Sequence, residues 1–223
     1  IAQLGVGVKP EDTLFATGIN IAEPLVFIGM LIGGGLIFLF SALLISSVNR
    51  AAFAMINVVR RQLKVPGVRE GTVKPDYAEC VGVSTRAAQR ELLPLGVMAI
   101  LLPVIVGFVL GAPALGGFLA GIILAGQLMS VFMANTGGAW DNAKKYVEEG
   151  HFGGKRSEAH KATVVGDTVG DPFKDTAGPA LNPMIKVVNL VSLLAAPVIV
   201  TFAANAESNS TLRIVVLAVM AVL

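Results

Sequence analysis

Three aspartates, Asp167, Asp171 and Asp175, follow one another at i, i+4 and i+8, with Lys174 among them and Asn182 and Lys186 beyond. On a helix advancing about 100° per residue, these six side chains share a face about 120° wide. Gly178 falls on the same face, where the missing side chain leaves room for another backbone or a ligand. A second group, Asp141, Lys144 and Lys145, is spaced i, i+3, i+4 and so also shares a helix face. The connection between the groups, residues 149–161, is short enough to bring the end of one helix beside the start of the next. Four aspartates and three lysines then converge. Oxygen ligands with no His or Cys among them suit Mg²⁺. Lysines beside such a metal suit the remaining charge of a metal-complexed anion, and a polyphosphate is the natural candidate. Two blander readings stand beside this one. Lys174 and its neighbours could simply neutralise the aspartates in a packing network, and Asp141 to Tyr146 could be an ordinary amphipathic helix exit with an interfacial Trp140 and snorkelling lysines.

The elements that must position these groups follow from where charge is absent. Of 223 residues, 54% are hydrophobic and 14% charged, about half the charge of an ordinary soluble domain. The 17 basic and 15 acidic residues nearly cancel, which argues against a nucleic-acid partner held by bulk positive charge. Residues 24–49, 92–140 and 187–206 carry no charge at all. A membrane span needs about 20 apolar residues, and the middle tract has room for two. The expected fold is therefore all-α, a polytopic transmembrane helical bundle with long helices at about 23–59, 77–110, 115–149 and 157–204. The last of these carries ionisable groups at membrane depth, where each costs several kcal/mol unless paired, hydrated or bound to ions.

Charge placement orients the helices. Residues 50–91 hold eight basic against four acidic residues, and Lys144, Lys145, Lys155, Arg156 and Lys161 crowd a later connection, whereas the turn at 111–114 has no charge. Positive-inside reasoning places both charged connections, and with them the Asp/Lys site, on the cytoplasmic side. The connection 62–76, with Pro66, Gly67, Gly71 and Pro75, reads as an ordered cytoplasmic loop whose basic residues serve topology and contact with anionic membrane lipid.

Other signals carry less. Cys80 stands alone and reads as a small packing residue. The stretch HFGGKRS at 151–157 lacks the spacing and the preceding strand of a phosphate-binding P-loop. His151 and His160, nine apart in a solvated connection, make a poor zinc site, and Asn209-Ser210-Thr211 matches a glycosylation acceptor too short to mean much. The sequence opens at Ile1 and stops inside the apolar run 214–223. The expectation is a C-terminal piece of a longer chain, or one chain of a larger assembly, with residues 211–223 undecided as part of a further helix.

With these residues assembled, the sequence closely resembles the ion-pumping membrane-bound pyrophosphatases. The stretch NTGGAWDNAKKY at 135–146 is similar to that family's penultimate-helix signature, and GDTVGDPFKDT at 166–176, continued by AGPALN, is similar to its last-helix signature. CVGVSTR at 80–86 resembles a further family segment. The resemblance implies that Asp141, Asp167 and Asp171 bind Mg²⁺, that Lys144, Lys145 and Lys174 hold pyrophosphate, and that Asp175 places the attacking water, with Asp171 and Asp175 as the catalytic pair. Lys186 would be the gate lysine, 11 residues and so roughly 16 Å beyond Asp175. Asn182, one turn before it, stands where sodium-pumping members tend to place a carboxylate and proton pumps an amide, which points to a proton. The resemblance further implies direct attack of water, a homodimer, an inner-membrane location and a K⁺ dependence decided on earlier helices. Those helices also carry the remaining site and gate residues, so this chain alone is expected to be inactive. The alternative is a secondary transporter whose Asp/Lys helix binds an ion and an anionic solute.

Overall fold

The computed structural model describes residues 19–206. Five α-helices account for most of it: α1, Pro24–Gln62; α2, Tyr77–Leu110; α3, Ala112–Glu148; α4, Glu158–Asp171; and α5, Gly178–Ala206. A 3₁₀ turn at His151–Gly153 lies between α3 and α4, and a π-helical turn at Pro172–Ala177 joins α4 to α5. No strand occurs among the described residues. The stretch Glu158–Ala203 runs as one rod, giving four segments long and apolar enough to cross a membrane. The chain is an all-α integral membrane protein. The apolar run 214–223 and the Asn209-Ser210-Thr211 pattern lie outside the described residues.

Helix ends follow local chemistry. Helix α1 continues past Arg60 and Arg61 to Gln62, because cations in a last turn complement the helix dipole. Helices α2 and α3 are separated by Gly111 alone, whose φ of +91° is the left-handed conformation that closes a helix C-terminus. Pro113 follows in the first turn of α3, where its missing N–H has no intrahelical use. Ser157 caps α4 by accepting the His160 N–H at 3.0 Å.

The described residues form two compact units. The first comprises the start of α1 to Gly35, Leu102–Leu124 and the described residues from Val188 to Ala206. Here Gly29 and Gly33 of α1 lie against the backbone of Ala114 and Phe118, while Gly117 and Gly121 of α3 lie against that of Val26 and Met30. Each pair is a glycine, three residues and a second glycine, the spacing that lets membrane helices approach backbone to backbone. The second unit, Leu36–Leu101 with Ala125–Val187, buries Ile37, Phe40, Leu44, Leu95, Met133, Leu181 and Ile185. The Arg50 guanidinium pairs with Glu91 where the charge-free stretches of α1 and α2 end, and Glu91 also accepts from Ser47 at 2.8 Å. Outward-facing Leu31, Phe38, Leu93, Leu124 and Leu193 give both units an apolar exterior suited to lipid or to further helices.

The one architectural feature the residue pattern did not foretell is the π turn. A single uninterrupted fourth helix was expected from 157 to 204. Instead Pro172, which has no N–H to donate and crowds the carbonyl one turn earlier, begins a segment in which the Gly178 N–H reaches back five residues to Phe173. Such a turn retards the helix beyond it by about one residue's rotation, ~100°.

Candidate active site

The site is built on a glycine crossing in the second unit. A Cβ on Gly137 of α3 would lie 2.5 Å from the Gly170 carbonyl oxygen and 2.8 Å from the Lys174 Cβ, and a Cβ on Gly170 would lie 3.1 Å from the Gly137 Cα. Only hydrogen at Gly137 allows this approach, and a methyl group at Gly170 would be tight. Trp140 covers the crossing, its ring centroid 6.1 Å from that of Phe173 and its side chain against Gly166. Below it, the Ser130 hydroxyl donates to the Gly178 carbonyl at 2.8 Å. Gly178 thus admits another backbone, that of α3 at Ser130 and Ala134.

From this crossing, six of the expected residues meet. The Lys174 ammonium lies 2.9 Å from Asp141, 2.8 Å from Asp171 and 3.7 Å from Asp167. Lys144 pairs with the other oxygen of Asp167 at 2.5 Å, and Lys145 with Asp141 at 2.9 Å. Three carboxylates and three ammonium groups therefore form a branched cluster of pairs centred on Lys174, with formal charges in balance. Partial burial makes this pairing obligatory: the Lys174 side chain is 19% exposed and that of Asp167 only 9%. Removing either partner would strand the other's charge away from water.

Among the described residues, no three carboxylate, His or Cys side chains converge into a ready-made metal cage. The three carboxylates assigned to Mg²⁺ converge on the Lys174 ammonium instead. The donor set still suits the metal on one observation: Asp167 Oδ1 is buried and has no hydrogen-bond partner, an acceptor position that favours a cation. Mg²⁺ is commonly held by one or two carboxylates plus substrate phosphates and waters, so a complete protein cage is unnecessary.

The remaining expected residues, Asp175, Asn182 and Lys186, are all exposed and join none of the ion pairs found among the described residues. The π turn changes their bearing. An uninterrupted helix would set Lys186 about 100° round from Asp167, and one inserted residue would turn it back by about that amount.

Two further contacts escaped the sequence reading. His160 Nε2 lies 3.0 Å from Glu148 Oε1, and the His151 ring stacks on Tyr146 with centroids 3.8 Å apart. The connection expected to be merely solvated is therefore tied down by side chains. Gly166 and Gly170, spaced i and i+4, carried the readable hint of a close crossing.

The profile of the inorganic H⁺ pyrophosphatase family matches residues 9–195, which include every residue of this site. The chain belongs to that family. Family relatives agree over most of its length. A K(+)-insensitive pyrophosphate-energized proton pump of Chloroflexus aurantiacus is 69% identical over 183 residues, 82% of this chain and 24% of the relative. One of the same description from Streptomyces coelicolor is 50% identical over 96% of the chain and 27% of the relative. A putative K(+)-stimulated pyrophosphate-energized sodium pump of Clostridium tetani is 55% identical over 82% of the chain and 28% of the relative. The chain thus spans about a quarter of the length of these inorganic pyrophosphatase relatives.

Proposed function

We propose that this chain is the C-terminal part of a longer subunit that hydrolyses Mg²⁺-complexed pyrophosphate and couples the reaction to proton export. The observation that carries the reading is the Lys174 ammonium standing among three carboxylates, with Lys144 and Lys145 on the flanks. A balanced cluster of this kind can be repartitioned. Its lysines turn to phosphate oxygens as its carboxylates turn to a metal, with no net charge left uncompensated.

Asp141, Asp167 and Asp171 would hold Mg²⁺, which when bound neutralises phosphate charge and polarises the phosphoryl group. Lys144, Lys145 and Lys174 bind and orient the pyrophosphate oxygens. Asp175, exposed beside Lys174, holds the attacking water and accepts its proton. That proton is then delivered at the head of the column leading toward Lys186, the gate, with Asn182 one turn above it. The amide at Asn182 adds no negative charge for Na⁺, and a relative named as a proton pump is 69% identical. Both favour a proton. The remaining site groups, any K⁺ dependence and a homodimeric assembly belong to the complete subunit, with the site on the cytoplasmic face of a bacterial inner membrane.

The complete subunit in sealed vesicles, supplied with Mg²⁺ and pyrophosphate on the site side, is expected to release phosphate and acidify the lumen without added Na⁺. Phosphate release with strict Na⁺ dependence and no acidification would reassign the ion. Solute uptake without any pyrophosphate hydrolysis would replace the enzyme by a secondary transporter.

A further inference from the structure

The connection from α3 to α4 has a backbone that cannot fix the register of the two helices by itself. Gly150, Gly153 and Gly154 take φ values of +112°, +94° and +69°, and Phe152 and Arg156 are also left-handed, at +51° and +72°. Non-glycine residues in that region each cost on the order of 1 kcal/mol, and persist where surrounding contacts hold them. At Phe152 the contact is with the Tyr146 ring, and at Arg156 it comes from His160. Its Nδ1 accepts the Arg156 N–H at 3.2 Å, and its Nε2 faces Glu148 Oε1 at 3.0 Å. A backbone N–H can donate only to an unprotonated ring nitrogen, so the ring proton sits on Nε2 and is donated to Glu148. The imidazole thus grips the connection with one nitrogen and α3 with the other. Its own backbone N–H is held by Ser157, whose hydroxyl in turn donates to the Gly154 carbonyl at 2.8 Å. Only about a fifth of the ring is exposed.

The register that results is the one the active site uses. Glu148 lies four residues after Lys144 on α3, and His160 seven residues before Asp167 on α4, so each falls on the same helix face as its site residue. The Glu148–His160 pair forms a rung next to the Lys144–Asp167 rung, and the pair of Asp141 with Lys174 comes after that. We infer that His160 is a positioning residue for the pyrophosphate site: it clamps Glu148 and the Arg156 N–H, and so sets the alignment of Lys144 on α3 against Asp167 on α4. The inference rests on the pyrophosphatase reading for its substrate, though the clamp itself does not.

Two measurements on the complete subunit test it. His160→Ala removes both arms and is expected to raise the KM for Mg²⁺-complexed pyrophosphate, lowering kcat/KM by roughly 10- to 100-fold through misplaced binding groups. His160→Gln, which keeps a donor toward Glu148, is expected to recover a substantial part of that loss. Trypsin cleavage at Lys155 and Arg156 should run several-fold faster in His160→Ala than in the unaltered protein. A lowered maximal rate with unchanged KM and no glutamine recovery would reduce His160 to a stability role and overturn the inference. So would an unchanged cleavage rate. If His160→Ala fails to assemble, His160→Gln against Glu148→Ala gives the same comparison. An unaltered subunit that hydrolyses no pyrophosphate would sink the proposed function instead, and the clamp would then stand or fall on the cleavage rate alone.

Discussion

Replacing Lys174 by alanine in the complete subunit is expected to lower pyrophosphate hydrolysis by at least 10²–10³-fold, the usual cost of deleting one charge-stabilising donor. The reason lies in its contacts. Its ammonium serves Asp141, Asp171 and Asp167 at once. Without it, Asp141 keeps only Lys145 and Asp167 keeps only Lys144, while Asp171 has no other cation partner among the described residues. Three carboxylates then repel one another where a polyanion must bind. Lys174→Arg should not restore activity, because a planar guanidinium cannot occupy a centre shaped for a compact ammonium. Steady-state phosphate release by purified protein, alongside its thermal midpoint, checks both. Normal turnover by Lys174→Ala would remove this residue from substrate binding.

The second large effect is steric. Gly137→Ala places a methyl group 2.5 Å from the Gly170 carbonyl oxygen, a backbone atom that cannot swing aside. Helices α3 and α4 must part. Overpacking of this kind costs about 1–3 kcal/mol, and an ångström of displacement at the crossing carries Lys144 away from Asp167 and Asp141 away from Lys174, at about 10²-fold in rate. Gly138→Ala is the matched control, since a Cβ there meets nothing within 4 Å. Activity and thermal midpoint should both fall for Gly137→Ala and neither for Gly138→Ala. Equal behaviour of the two variants would mean that the crossing does not set the site.

Much of this was legible in the residues because a bilayer imposes simple rules. Uncharged tracts marked four spans, and the ends near Gln62, Leu110 and Glu148 fell within three residues of expectation. The meeting of Asp141, Lys144 and Lys145 with Asp167, Asp171 and Lys174 was readable from a short connection and two helix faces. Other features depend on partners distant in sequence or on how strain is relieved. Pro172 inside a helical pattern announces trouble, but not its form, a π turn that ends at Gly178 where that glycine packs against α3. The convergence of carboxylates on an ammonium rather than in a three-ligand cage comes from the reach of one lysine, which residue spacing does not encode. His160 looked solvated because its partner, Glu148, sits across the connection on another helix.

The central claim is that the aspartates of this cluster grip a magnesium-complexed phosphate compound, and Asp171→Asn tests it most directly. Asp171 is exposed, so the amide should fold as the acid does. Losing one charged contact costs roughly 1.5–3 kcal/mol, about a 10- to 150-fold loss of affinity. A magnesium titration of pyrophosphate hydrolysis should therefore shift to higher metal concentration by one to two orders of magnitude in the Asp171→Asn subunit relative to the unaltered one. Superimposable titration curves would contradict the claim.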